Sequence, residues 1–287
     1  MHPSKWVLVF ILAAFSVVSA EAQAVPDNAS VAAGPVLDAA GPRQRVAIRS
    51  VYLVSCAKDN IAGTGFLLSN GLIVTNHHVI GTCEASELLV ISSSSKRVTV
   101  TQRIFDEDRD LALLKPSEKL SGGLELAAVA DPLPGTAVST WGYPFLYNGY
   151  YPLLSVGYIA GYRDELRPGS KKVKRIIVNG AFNHGNSGGP LLIAQDNKVI
   201  GVVVATYHFF PEYVDTTIKT MKEPHGGIFT GAFSVTDANG KRTSLSDQQV
   251  VGIILEQFYE KTQVMIGEAI SASELRHFMA ERKKELP

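Results

Sequence analysis

The chain has 287 residues, with 27 Lys plus Arg against 27 Asp plus Glu, and 46% of it is apolar. A formal net charge of zero gives no grip on nucleic acid or on an anionic membrane surface, and no basic stripe, zinc-type Cys/His spacing or phosphate-binding loop is present. The 25 glycines and 14 prolines suit many short strands separated by turns.

Residues 1–24 read as a secretory signal peptide. Lys5 supplies the positive charge, Trp6 to Val18 is a short apolar run, and small residues follow at Ser19-Ala20 and Ala22-Gln23-Ala24, with cleavage expected after Ala20 or Ala24. The competing reading, a retained membrane anchor, needs a longer apolar run. No cysteine stands directly after the run, which argues against a lipoprotein. The expectation is therefore export to the periplasm or the medium, with no stable membrane insertion after cleavage. Residues 25–45, rich in Ala, Pro and Gly with few large apolar side chains, read as a flexible linker.

From residue 46 the pattern is all-β. Strands are expected near 46–55, 63–69, 72–75, 88–92, 97–105 and 111–115. After a break near Asp131–Gly135 they are expected near 137–141, 153–160, 175–178, 190–193 and 199–205. Such spacing predicts two packed β-barrels, about 46–130 and 136–287. Asn70-Gly71 is a strong hairpin signal, and the second strand of that hairpin runs into His77-His78. Adjacent strand residues face opposite sides, so this histidine pair is a poor metal clamp, and no metal site is expected. Asp106-Glu107-Asp108-Arg109-Asp110 runs directly into the apolar Leu111-Ala112-Leu113-Leu114. Gly185-Asn186-Ser187-Gly188-Gly189-Pro190 places a serine between glycines on a sharp turn before another strand.

A long insertion, about 206–262, holds an apolar Gly-rich stretch (Gly226 to Phe233) and a predicted helix from Asp247 to Tyr259. Ser246 is its candidate N-cap, and Val250, Val251, Ile254, Leu255 and Phe258 form one apolar stripe. It reads either as a lid or exosite, or as a surface loop whose helix packs on the second barrel. A C-terminal helix near Ser273–Met279 has apolar residues at 275, 278 and 279.

A serine nucleophile needs a base to take its proton, and the base needs a carboxylate to hold its tautomer. His, Asp and Ser occur here in that chain order, each at an element boundary. The T-N-x-H-V, D-L-A-L-L and G-N-S-G-G-P-L motifs resemble those of the chymotrypsin-fold serine peptidases, in particular the HtrA/DegP-like bacterial branch. The similarity covers roughly residues 46 to 205 and resumes at Ile266-Gly267-Glu268-Ala269-Ile270-Ser271, which resembles that family's final barrel strand.

The resemblance implies two six-stranded antiparallel barrels with a C-terminal helix, residues 46–287 forming one peptidase domain. It assigns His78, not His77, as base, Asp110 as the orienting carboxylate and Ser187 as nucleophile. The backbone N–H groups of Gly185 and Ser187 would form the oxyanion hole. No cofactor is implied, and the partner is a protein or peptide substrate. Cys56 and Cys83 bracket the hairpin that carries His78. Export, together with the bridge many such enzymes have around the catalytic histidine, favours a disulfide contributing roughly 2–4 kcal/mol; the alternative is two buried free thiols.

For specificity, the position six before the nucleophile is Ala181, the opposing strand matches at Val203-Val204-Ala205, and Gly267 and Ala269 would lie nearby. Ala181, Val203 and Ala205 are thus candidate substrate-binding residues. With no carboxylate at the pocket floor, a small or medium apolar side chain is expected at the cleaved position rather than Lys or Arg. Strand alternation turns Glu268 away from that pocket. His184 is a further candidate, either a substrate contact or an exposed loop residue.

Three features depart from the family. No PDZ domain is expected after the C-terminal helix, the 206–262 insertion is present, and position 186 is Asn where zymogen-type enzymes have Asp. An amide cannot pair with a newly cut terminal ammonium, so activity is expected without activation of that kind. The leading functional reading is a secreted serine endopeptidase working through an acyl-enzyme. The alternative is a catalytically inactive or latent protease-like binding or scaffold protein. An esterase nucleophile elbow would be followed by a helix, and here Pro190 and a strand follow. Nothing in the sequence indicates the oligomeric state.

Overall fold

The computed structural model of the chain describes residues 34–129, 131–145, 151–166, 171–204, 234–236, 242–244, 246–261 and 266–285. The predicted signal peptide, Ala205 and the Gly226–Phe233 stretch lie outside these residues. Two short helices come first, α1 (Gly34–Ala39) and α2 (Pro42–Arg49). This corrects the expectation of a flexible linker to residue 45 and a strand from 46. Pro42 sits in the first turn, where its missing N–H is no loss, and the Ser50 backbone and hydroxyl both close the helix on Val46 O, at 3.1 and 2.8 Å. The adjacent Ala47 and Ile48 are both fully buried, a helical pattern rather than a strand's alternation.

Strands β1 (Val51–Cys56), β2 (Ile61–Leu67), β3 (Ile73–Thr75), β4 (Leu88–Ser92), β5 (Arg97–Asp106) and β6 (Leu111–Pro116) close an antiparallel barrel in the order β1-β2-β3-β6-β5-β4. Asn70 makes the predicted turn between β2 and β3, its side-chain oxygen accepting from Leu72 N at 3.1 Å. The next five strands, β7 (Ala137–Gly142), β8 (Leu153–Leu166), β9 (Lys172–Asn179), β10 (Pro190–Ile193) and β11 (Val199–Val204), and the last strand β14 (Ile266–Ser271) close a second barrel in the order β10-β11-β14-β9-β8-β7. Strand β8 runs past the expected end at Ala160 because an irregularity between Ile159 and Gly161 breaks its alternation while pairing with β9 continues to Leu166. In the insertion, β12 (Ser234–Thr236) and β13 (Arg242–Ser244) pair with each other.

Helix α4 (Asp247–Lys261) starts as predicted at Ser246. Its hydroxyl accepts from Gln249 N at 3.2 Å and Gln249 Oε1 accepts from Ser246 N at 2.9 Å, a reciprocal capping box. Three residues of the apolar stripe do not pack on the barrel, however: Val251, Ile254 and Leu255 are each nearly half exposed. Helix α5 (Ala272–Glu281) follows β14 directly and buries Ala272, Leu275 and Phe278.

The apolar side chains divide into three layers. Tyr52, Leu67, Ile73, Ala112 and Leu114 fill the first barrel, and Ile159, Ile176, Val178, Val203 and Ala269 fill the second. Between them lies a seam of Phe66, Val74, Leu111, Leu113, Trp141, Val202, Ile270, Leu275 and Phe278. Strand β6 is buried at every apolar position because Ala112 and Leu114 face the barrel interior while Leu111 and Leu113 face the seam.

A polar tie crosses beside this seam. Arg109, in the loop before β6, is 5% exposed and donates from Nε to Glu274 Oε2 (3.2 Å) and from Nη1 and Nη2 to the two oxygens of Glu281 (3.0 and 2.8 Å), both glutamates lying on α5. Arg109, and after it Lys171, hold the Glu281 carboxyl down to about 2 from an ordinary 4.5. A depressed carboxylate contributes stability that is present above its unfolded pKa and is lost as pH falls through the folded one. Glu281→Gln is therefore expected to lower Tm at neutral pH, with the gap to wild type narrowing as pH is taken from about 5 toward about 2. Thermal unfolding across that range checks it; a gap that does not change with pH would show that the charge of Glu281 contributes nothing.

Candidate active site

Strand β3 delivers Asn76 and then the single helical turn α3 (His77–Ile80), so the histidines stand on a helical turn rather than at the strand end expected from sequence. The turn separates them. The His77 ring stacks on Phe105, with centroids 4.6 Å apart and planes at 16°, while His78 turns to Asp110. His78 Nδ1 lies 2.8 Å from Asp110 Oδ2, and the His78 backbone N–H donates to Asp110 Oδ1 at 3.0 Å. One carboxylate thereby fixes both the ring and the backbone of the same residue. With the Nδ1 proton donated to Asp110, Nε2 carries the free lone pair. The His78 side chain is 43% exposed against 11% for Asp110, so Nε2 can be reached and the carboxylate is screened.

Asp110 closes the loop from β5 to β6 with φ 58°, a left-handed backbone uncommon outside glycine. Its carbonyl accepts from Asn76 Nδ2 at 2.9 Å and its N–H donates to Glu107 O at 3.2 Å. On the other side of α3, Asp59 accepts from Thr82 N and from Thr82 Oγ1 (2.9 Å), which together hold its carboxyl below the ordinary range and pin the turn. Cys56 and Cys83 are joined by a disulfide, as expected, and the loop it closes contains α3.

The Ser187 loop is fastened to the first barrel. Thr64 N donates to Ser187 O at 2.8 Å, Thr64 Oγ1 donates to Gly185 O at 2.6 Å and accepts from Tyr143 N at 3.0 Å, and Thr75 Oγ1 donates to Thr64 O at 2.7 Å. Gly185 and Gly188 have φ of 95° and 84°, and a Cβ on either would meet backbone oxygen, at 2.2 Å from Tyr143 O and 2.0 Å from Thr64 O. Glycine is required at both by conformation and by space. The space over Gly63 is shared by Val79, the neighbour of His78, and by Ser187 O, each within about 3 Å of where a Cβ would stand. The fold thus brings the Ser187 loop against the same wall that carries His78. The carbonyl of His184 accepts from Phe145 N at 3.0 Å, and because a trans peptide points its two polar groups apart, Gly185 N–H faces away from Phe145.

Of the specificity candidates, Ala181 is half-buried and His184 is exposed on the loop. Val203 is sealed in the second barrel's core with no exposure, which corrects its expected place in a pocket; its carbonyl and N–H instead bond Gly188 N and Gly189 O at 2.9 and 2.8 Å. Phe182, which the sequence did not single out, packs its ring onto Gly267: a Cβ there would stand 2.3 Å from Phe182 Cδ2. Glu268 does point away, nearly buried and held by both forks of Arg163 at 2.8 Å. Among the described residues no three His, Cys, Asp or Glu side chains are placed to hold a metal ion.

Residues 63–202 match the family described as trypsin-like peptidase domain. Over these residues the chain resembles a trypsin-like peptidase domain, on a chymotrypsin-like fold of two closed barrels. The chloroplastic Protease Do-like 1 of Arabidopsis thaliana is 35% identical over 153 residues, 51% of this chain and 33% of that protein. The probable periplasmic serine endoprotease DegP-like of Rickettsia prowazekii (strain Madrid E) is 33% identical over 149 residues, 50% of this chain and 28% of that protein. The chain therefore spans about a third of the length of these relatives. The crystal structure of the Rv3671c protease from M. tuberculosis in its active form superposes with a TM-score of 0.56 at 20% identity, covering 83% of each chain, a likeness of fold.

Thr64 is the residue of this site that sequence reading missed most completely. A threonine in a Gly-Thr-Gly run carries no signal, and three of its partners, Ser187, Gly185 and Tyr143, are distant in sequence. Thr64→Val keeps the shape but leaves buried Gly185 O and Tyr143 N without their partner, and is expected to cost about 3 kcal/mol. Urea unfolding measures this; a loss under about 0.5 kcal/mol would mean the bracket is dispensable.

Proposed function

We propose that the chain is an exported serine endopeptidase that cleaves peptide bonds through His78, Asp110 and Ser187. The observation that carries this reading is the double hold of Asp110 on His78, whose neighbour Val79 and the Ser187 carbonyl share the space over Gly63. Ser187 Oγ attacks the scissile carbonyl carbon while His78 Nε2 takes its proton, and Asp110 stabilises the imidazolium that results. The N–H groups of Gly185 and Ser187 receive the oxyanion. As the tetrahedral intermediate collapses, the C–N bond breaks and His78 returns the proton to the leaving amine. Water, activated by the same ring, then releases the acyl group from Ser187.

A disulfide at the base of the histidine turn suits an oxidising compartment, in keeping with the signal peptide read from residues 1–24. No helix among the described residues is long and apolar enough to cross a membrane. Gly185 and Ser187 lie in a loop already ordered by Thr64, which favours activity without cutting at a new amino terminus.

The pocket reading narrows toward small apolar side chains. Phe182 occupies the space over Gly267 that an extended side chain would need, and Ala181 adds no charge. Phe182→Ala is expected to raise kcat/KM for substrates with a large apolar residue at the cleaved position about ten-fold relative to Ala or Val. Peptide-library profiling of both proteins tests this, and cleavage after Lys, Arg or Glu by the wild type would overturn the apolar preference.

The reading as a whole is tested by labelling the mature protein with a fluorophosphonate probe. One adduct by intact mass on wild type and none on Ser187→Ala is the expected result. No adduct on folded protein would leave the alternative, a latent or inactive protease-like binding protein.

A further inference from the structure

The nucleophile and the acid–base pair stand on different barrels, so their alignment depends on how the barrels are held together. Thr64 crosses from the first barrel to the Ser187 loop on one side of the site. On the other side the crossing is made by Arg109, the residue that immediately precedes Asp110. Its guanidinium is 5% exposed and faces three carboxylates: Asp106 at the end of β5 (Nη1 to Oδ2, 2.5 Å), and Glu274 and Glu281 on α5. Of the neighbouring cations, the Lys171 ammonium pairs with Glu281, that of Lys174 with Asp131 and the Arg282 guanidinium with Glu285. Lys171 Nζ bonds Glu281 at 3.0 Å, and the Lys174 backbone N–H reaches Glu274 at 3.3 Å. Helix α5 continues straight from β14, so what grips Arg109 is an extension of the second barrel.

We propose that Arg109 is a positioning residue for the reaction, a clamp through which α5 of the second barrel holds the Asp110 carboxylate in register with His78. The proposal rests on the peptidase reading above. The reason a clamp is needed is local. Asp110 adopts a left-handed backbone at the end of a loop of four residues, and such a conformation persists only where its surroundings over-determine it. Asn76 and Glu107 hold the Asp110 peptide groups, but both belong to the first barrel and cannot report the position of the second. Arg109 N–H to Asp106 Oδ1 (3.0 Å) makes the loop rigid, so a guanidinium anchored on α5 moves Asp110 with it. A planar fork meeting carboxylates at fixed angles transmits position, whereas a lysine supplies only a point charge.

That distinction makes the test. Arg109→Lys keeps the charge near the triad and removes the fork, so the field at His78 is retained while the placement of Asp110 is loosened. In the full-length mature chain, with concentration set by fluorophosphonate-labelled active sites and temperature held well below Tm, Arg109→Lys is expected to lower kcat about ten-fold with KM within about two-fold. The acidic limb of the kcat/KM profile is expected to move to lower pH, because a less well-placed carboxylate stabilises the imidazolium less. Glu281→Gln, half-exposed and tolerant of substitution, is expected to shift both readouts in the same direction by a smaller amount. If either variant loses Tm but keeps its kcat and its pH profile per labelled site, Arg109 is only a staple for α5 and the proposal is overturned. A wild type that forms no adduct would instead remove the peptidase reading, and this proposal with it.

Discussion

The apolar seam between the two barrels is the constraint on which everything else depends. His78 and Asp110 hang from strands of the first barrel, Ser187 from the turn before β10 of the second, and proton transfer tolerates errors of only a fraction of an ångström. Strands that face the seam therefore bury both surfaces. Leu111 and Leu113 on β6, Val202 on β11 and Ile270 on β14 meet across it, and Phe66 and Trp141 fill the space between. Nondirectional apolar contact supplies the attraction, but it does not define a register. The directional elements are hydrogen bonds and ion pairs at the margin, at Thr64 beside the Ser187 loop and at Arg109 beside Asp110.

Left-handed backbone also occurs at this margin. Asp110, Gly185 and Gly188 all have positive φ, and each is held by bonds from the opposite barrel or from the neighbouring strand. For the glycines the conformation costs little and the absence of a Cβ lets Thr64 O and Tyr143 O approach closely. For Asp110 the left-handed backbone costs on the order of 1 kcal/mol. It is offset by the return it gives: a carboxylate that reaches both the ring and the main chain of His78. Asn186 is nearly buried beneath this loop, and its Oδ1 has no partner among the described residues. An amide tolerates that position far better than a carboxylate would.

Charge in this neutral chain is arranged pair by pair. Glu268 would be a costly buried carboxylate were it not matched by both arms of Arg163, and Arg175, almost fully buried, is answered by Glu165. Exposed apolar surface has a different distribution. It gathers on α4, where three residues of the stripe legible in the sequence turn outward, and on the outer face of β8 at Leu154, Val156 and Tyr158.

The amino-acid sequence by itself determined the class of fold and the identity of the charge pair, because both are written in local pattern. Turn residues and alternation located eleven of the strands, the Asn70-Gly71 hairpin and the cap at Ser246, and the resemblance of T-N-x-H-V to a known family's motif singled out His78 over His77. What only the tertiary structure decided involves contacts between residues far apart in the chain. It turned the histidines onto a helical turn, made residues 42–49 helical, sealed Val203 in a core and laid Phe182 over Gly267. It also gave Thr64 and Arg109 their work. Alternation says that a side chain faces inward but not what it meets there, and a lone threonine or an arginine among acids looks like any other. Their partners lie 121 and 172 residues away, and only closure of two barrels against each other brings those atoms within hydrogen-bond distance.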